Sequence, residues 1–335
     1  MKNQQIKILF LGTPEFAVPL LEALIKAKYS ILGVITGLDK PVGRKQILTP
    51  PSVKIAAEKH DLPVYQPQNK TELLEIMRKL HPDLAVVAAF GMIFSKEILE
   101  IPKYGFLNVH ASLLPRWRGP SPIQAAILNG DAETGVTLML INEKMDEGPT
   151  LANAELRIKN SELAAGELSK KLSDLGAELL IEILPKWLTG EIKSQEQDHS
   201  KATYCKIIKK EDGEIDWNKS AEYIERMTRA FWLWPSAYTF FKITNHKSQI
   251  TNQIQNSKPK TILKIIKAEI AKENNHQIGE VFLSSNQKPA VRCGEGSLIL
   301  ELVQPEGKKP MTGEKFLKGH QKIIGLILGD LKTRF

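Results

Sequence analysis

IKILFLGTPEFAVPLLEALIKAKYSILGVIT, residues 6–36, decides the fold class. Two short apolar runs, IKILFLG and ILGVIT, enclose PEFAVPLLEALIKA, which reads as a helix, with Thr13 placed to cap it and Pro14 to open its first turn. A strand, a helix and a second strand in that order make a parallel pair. The alternation continues along the first half of the chain. PSVKIAAEKH (51–60) and TELLEIMRKL (71–80) read as helices, DLAVVAAF (83–90) as a buried strand, and GFLNVH (105–110) as the next strand. TGVTLMLI (134–141) and TLANAELRI (150–158) form a strand pair extending the sheet, and residues 161–188 form a long amphipathic helix. The pattern predicts an α/β fold, a mostly parallel sheet with helices on both faces, whose site lies beyond the carboxyl ends of its strands.

Residues 190–213 are polar and weakly periodic, so the sequence divides into a first domain at 1–190, a linker at 191–213 and a second domain at 214–335. A length of 335 residues suits two domains. NKSAEYIERMTRA (218–230) reads as a helix, and SAYTFFKI, TILKIIKAEI, IGEVFLS, PAVRCG and SLILELVQ as short strands of a small β-barrel, with a polar loop at 244–260. Apolar residues at 42% and charged residues at 25% describe a globular chain and exclude a disordered one. The apolar run near the N-terminus is too short to span a membrane and lacks a small-residue cleavage site, so an unprocessed, cytoplasmic protein is expected. Cys205 and Cys293 lie far apart and outside any C-x-x-C pair, which supports neither a disulfide framework nor a zinc site. Charge is uneven: residues 1–200 hold 23 Lys+Arg and 24 Asp+Glu, whereas 201–335 hold 23 and 14. A polyanionic partner and a solvated Lys-rich surface both fit a basic second domain.

FLNVHASLLPRWRGPS, residues 106–121, carries the candidate chemistry. Side chains two apart on a strand share a face, so Asn108 and His110 point the same way at a strand end. The other six histidines fall in helix ends, loops or polar stretches. Taken alone, His110 suits a hydrogen-bonded structural role as well as a catalytic one. Asp146, in NEKMDEGPT (142–150), adds a carboxylate that would favour a protonated imidazole and orient it, and an Asn amide can donate to a developing oxyanion. The trio suits addition to a carbonyl by a nucleophile that the substrate brings, since no Ser or Cys nucleophile accompanies it. Leu113 and Leu114, stiffened by Pro115, would line an apolar slot for a flat heterocycle. LGTPEF lacks the G-x-G-x-x-G spacing and any Lys-Ser/Thr pair, so a tight turn accounts for it better than nucleotide binding does.

Together with ILFLGTPEFAVPLLEAL, DKPVGRKQILTPPSVKIAAE, VVAAFGMIFSKEIL, MDEGP, IDWNKSA and LVQPEGKKPM, the stretch LNVHASLLPRWRGPSPIQAAILNGDAETGVTLM resembles the folate-dependent formyltransferases. Within them the chain is most similar to the methionyl-tRNA formyltransferase family, from about residue 6 to beyond 315. The resemblance implies a Rossmann-like catalytic domain joined to a C-terminal OB-fold-like β-barrel that binds tRNA. It implies 10-formyltetrahydrofolate as co-substrate, initiator methionyl-tRNA as partner, and no metal. Carried over residue by residue, Asn108, His110 and Asp146 fall at catalytic positions and Ser112, Leu113, Leu114 and Pro115 in the folate-contacting segment. Arg44 falls in a loop that reaches the acceptor stem, and Phe16 where the methionine side chain packs. RAFWLWPSAYT departs from the family at Trp232 and Leu233, where Asn-Pro is usual, while Trp234 and Pro235 match. No heptad or dimer helix is visible, so a monomer is the default. Formyltransferases acting on small phosphorylated or sugar amines share the motif, and a nonenzymatic RNA-binding descendant is the remaining alternative.

Overall fold

The computed structural model describes residues 6–43, 45–158, 163–241 and 261–329. The first part of the chain forms β1 (Lys7–Gly12), α1 (Val18–Lys26), β2 (Ser30–Ile35), β3 (Lys40–Val42), β4 (Ile47–Thr49), α2 (Ser52–Lys59), β5 (Val64–Tyr65), α3 (Lys70–Leu80), β6 (Leu84–Ala88), α4 (Lys96–Leu99) and β7 (Phe106–His110). It continues through α5 (Pro122–Asn129), β8 (Glu133–Leu140), β9 (Thr150–Arg157) and α6 (Ala165–Leu188). The remainder forms α7 (Ala221–Ala230), β10 (Ala237–Phe241), β11 (Thr261–Ala271), β12 (Val281–Leu283), β13 (Pro289–Arg292), β14 (Ser297–Pro305), β15 (Met311–Thr312) and α8 (Gly313–Gly319). Residues 6–123, 132–158 and 167–207 pack as one unit, and 124–131, 163–166, 208–241 and 261–329 as a second.

The first unit is built on a seven-stranded sheet ordered β5-β2-β1-β6-β7-β8-β9. β5, β2, β1, β6 and β7 are parallel, and β8 and β9 extend the sheet antiparallel. The mostly parallel α/β sheet expected from the alternation is therefore present. Leu9, Leu11, Ile35, Ala85, Val87 and Phe106 pack on one face with Leu73 and Met77 of α3. Their strand neighbours Ile8, Phe10, Val34, Leu84 and Val86, which point the other way, are equally buried, so both faces are covered. α3 forms because Asn69 caps it, accepting from the Glu72 N–H, and because Leu73 and Met77 recur one turn apart. Burying each contributes about 1.5–3 kcal/mol.

One local expectation is corrected. The helix does not open at Pro14 under a Thr13 cap: a 3-10 turn, Glu15–Ala17, comes first, and α1 carries Pro19 in its opening turn. Thr13 Oγ1 instead accepts from the Gly37 N–H at 3.1 Å, tying together the segments that follow β1 and β2. Adjacent parallel strands bring that donor within reach before the helix begins.

In the second unit an antiparallel sheet runs β10-β11-β14-β13-β12, with β15 beside β14. Register shifts in β11 between Ile265 and Ala268 are bulges, which bend and twist a strand and let the sheet curl into a half-barrel. Its core gathers Leu263, Ile265, Leu298, Leu300, Val303 and Phe316, all essentially inaccessible. Ser220 caps α7, and Trp217 is buried with its indole N–H donating to Thr239 Oγ1 at 3.1 Å. The polar loop expected at 244–260 lies outside the described residues.

Candidate active site

β7 delivers Asn108 and His110 to the carboxyl edge of the parallel strands, between β6 and β8 in the sheet. His110 is buried and Asn108 half-buried. The Asn108 side-chain amide has no hydrogen-bond partner among the described residues. His110 Nε2 lies 3.0 Å from the Trp117 main-chain oxygen. A carbonyl only accepts, so Nε2 carries a proton and Nδ1 is the nitrogen left for exchange. Nδ1 faces Asp146 Oδ1 at 3.7 Å, beyond hydrogen-bond length and within ion-pair distance of a charged imidazole.

Asp146 reaches this position from the 141–149 connection between β8 and β9, which begins beside the N-terminal end of β7, where the Ile141 N–H donates to the Phe106 oxygen. Its backbone is left-handed, φ +52°, a region that Asp tolerates better than most residues. The Gly119 N–H donates to its Oδ2 at 2.8 Å, and Gln197 Nε2 donates to its main-chain oxygen at 2.9 Å. Gly119 has φ +110° and passes so near the Cys205 carbonyl oxygen that a Cβ would collide with it. Glycine is required there on both counts.

The Arg118 side chain between Trp117 and Gly119 is fully buried. Its Nε and Nη2 donate to Gln197 Oε1 at 3.1 and 2.8 Å, Nη1 to the Tyr204 hydroxyl at 3.1 Å, and Nη2 to His199 Nδ1 at 3.1 Å. Glu147 Oε1 at 3.7 Å balances the charge. The Arg118 N–H donates to the Thr203 oxygen and its own oxygen accepts from the Cys205 N–H. Residues read from sequence as linker thus form the wall behind the PRWRG segment. Cys205 itself is no nucleophile: burial pushes its thiol up, the Ser121 N–H opposes this, and the Asp146 charge adds to the rise.

The segment expected to meet folate is anchored by Thr137 of β8, whose Oγ1 donates to the Ser112 oxygen at 2.7 Å and accepts from the Leu114 N–H at 3.1 Å. Ser112 Oγ donates to the Arg116 oxygen at 2.6 Å, and Ser112 and Leu114 are buried. Their burial leaves half-buried Leu113 as the more accessible apolar group. The Leu114–Pro115 peptide bond is cis. Phe16 lies in the 3-10 turn after β1, half-buried, with its oxygen accepting from Ser173 Oγ of α6. The structure brings Asp146 to His110, with Asn108 two residues before it on β7. Phe16 is placed two strands away on the same edge of the sheet. Arg44 lies outside the described residues. Sequence reasoning missed Gln197, Thr137 and Thr203, and it read the motif's Trp117 and Gly119 without a role. Among the described residues no cluster of three or more His, Cys, Asp or Glu is arranged to hold a metal ion.

The formyl transferase family model matches residues 6–184, more than half the chain, and the formyl transferase C-terminal domain matches 207–321. The methionyl-tRNA formyltransferase of Chloroflexus aurantiacus is 44% identical over 318 residues, covering 94% of this chain and 97% of the relative. The enzyme of the same name from Bacillus subtilis is 40% identical over 328 residues, 96% of this chain and 98% of its own.

The chain belongs to the methionyl-tRNA formyltransferase family.

The family resemblance drawn from the sequence motifs therefore stands. Solved structures agree on the fold at lower identity. WlaRD, a sugar 3N-formyl transferase crystallised with dTDP and 5-N-formyl-THF, superposes with a TM-score of 0.61 at 21% identity, covering 91% of this chain and 99% of that one. HypX from Aquifex aeolicus in complex with tetrahydrofolic acid gives 0.62 at 15% identity, covering 95% and 48%.

Proposed function

We propose that Asn108, His110 and Asp146 catalyse the formyl transfer for which the family is named. The chain is an enzyme that moves the formyl group of 10-formyltetrahydrofolate to the amino group of methionine on initiator methionyl-tRNA. The observation that carries the site assignment is the half-buried Asn108 amide, without a hydrogen-bond partner among the described residues and two residues from His110 on the same strand face. A polar group in that condition is suited to a ligand oxygen.

The α-amine attacks the formyl carbon as the neutral form, well populated at cellular pH for a group titrating near about 8. The carbonyl oxygen becomes an oxyanion, to which the Asn108 amide and protonated His110 donate. With Nε2 committed to Trp117, Nδ1 is the His110 atom that supplies charge, and Asp146 beside it holds the imidazolium. Collapse of the tetrahedral intermediate breaks the bond to folate N10, and the ammonium proton travels by way of Asp146 and water to that nitrogen. The turn at 112–115 fits a flat pterin by its rigidity: Leu113 offers apolar surface beside main chain pinned by Thr137.

Residues 1–190 are assigned to catalysis and 214–335 to tRNA, the latter carrying the excess of Lys and Arg. Arg44 is assigned to the acceptor stem, Phe16 to the methionine side chain, and Ser112 to Pro115 to folate. No described helix is long and apolar enough to cross a membrane. A monomer working in the cytoplasm fits these substrates. Transfer of labelled formyl from 10-formyltetrahydrofolate to initiator tRNA, charged with methionine or uncharged, tests the reading. Label on the charged tRNA alone supports it, and label on amino sugars instead would overturn it.

A further inference from the structure

We propose that Gln197, held in place by Arg118, is a positioning residue that sets the Asp146 carboxylate against His110. The inference rests on Asp146 and His110 being the reacting pair. Gln197 is buried and its amide is fully used: Oε1 accepts twice from Arg118, and Nε2 donates to the Asp146 oxygen at 2.9 Å and the Gly148 oxygen at 2.7 Å. Only one amide orientation works, because reversal would set NH₂ against a guanidinium and a carbonyl against two carbonyls.

What Gln197 grips decides its role. Asp146 is left-handed and fixed at both ends, its main-chain oxygen by Gln197 and its carboxylate by the Gly119 N–H. Arg118 lies between the residue whose carbonyl accepts a hydrogen bond from His110 and the residue whose N–H donates to the Asp146 carboxylate. One buried guanidinium and one amide therefore register the imidazole and the carboxylate to each other, although neither Arg118 nor Gln197 touches the reacting nitrogen. A buried charge is expensive, and here its bonds run into the wall that aligns the pair. Glu at 197 would keep acceptors for Arg118 while turning an oxygen toward the Asp146 and Gly148 carbonyls. The loop would then shift while the Arg118 anchor stays.

The test uses the full chain with 10-formyltetrahydrofolate and charged initiator tRNA. Gln197→Glu and Gln197→Met should lower kcat about tenfold or more, with KM for both substrates within about threefold. Leu180→Ala, a core truncation on α6, serves as the control for a merely structural effect and should lower the thermal midpoint without lowering kcat at a temperature well below it. In an Asp146→Asn background, followed in single turnover, Gln197→Glu should add less than about twofold, because its effect passes through the carboxylate. Should the Met variant fail to fold, the Glu variant carries the measurement. Turnover within about twofold of wild type, a change in KM alone, or the same fold-loss in both backgrounds would overturn the positioning role. Wild-type turnover in Asp146→Asn would instead overturn the catalytic assignment beneath it.

Discussion

Replacing Gly119 by Ala separates the backbone's role from that of the side chains. At φ +110° an added methyl is strained by about 1–3 kcal/mol, and it also drives into the Cys205 main-chain oxygen. The segment must retreat, and the first bond lost is that from the Gly119 N–H to Asp146 Oδ2, now 2.8 Å. A hydrogen bond to a charged group contributes about 1.5–3 kcal/mol. If that energy holds Asp146 in its working position, turnover should fall about tenfold to a hundredfold, at about 1.4 kcal/mol per tenfold. The strain should appear separately as a lower denaturant midpoint. Single-turnover formyl transfer and urea unfolding read the two effects. Cys205→Ala alone should leave turnover near wild type, since a thiol that burial keeps protonated does no chemistry. The double variant should not recover, because the collision is with a carbonyl and not with sulfur. Wild-type turnover in Gly119→Ala, or recovery in the double variant, would refute this reasoning.

Asn108→Ala removes the proposed oxyanion donor and should cost at least about 2 kcal/mol in kcat, roughly thirtyfold or more, with tRNA affinity unchanged by filter binding. Arg44→Ala should weaken tRNA use and leave folate binding intact by calorimetry. The basic second domain predicts a steep salt dependence: about four phosphate contacts would lose about a hundredfold in affinity between 50 and 200 mM salt. Burial pushes the Cys293 thiol up to about 12 from an ordinary 9.0. A raised folded-state value means full stability below the unfolded value and loss as pH rises through the window above it. The wild-type advantage over Cys293→Ala should therefore shrink by about 1.4 kcal/mol per pH unit above 9, read from urea midpoints at pH 8 and 10.5.

The parts of the fold legible in the sequence were those with strong local signals. β1, β6 and β7 are short apolar runs buried on both faces, and the period-two spacing of Asn108 and His110 placed both on one face of a strand end. Asn69 and Ser220 cap α3 and α7 where the following periodic residues begin. Thr13 carried the same signature but serves a neighbouring strand, because tertiary proximity to Gly37 outweighs local preference. The wall behind the site was illegible for a different reason. Residues 191–207 are polar, which reads as linker, yet Gln197 and Thr203 are polar because they face a buried guanidinium and a turn rich in main-chain donors. Gln197 and Arg118 lie 79 positions apart, and no periodicity connects them. Polarity records what a side chain bonds as much as whether water reaches it.

The most direct test of the assignment is single-turnover formyl transfer to charged initiator tRNA by His110→Ala at saturating folate, with tRNA and folate binding measured alongside. The geometry predicts loss of about a hundredfold or more in rate with both affinities preserved. A rate near wild type would contradict the assignment and return His110 to a structural bond with the Trp117 carbonyl.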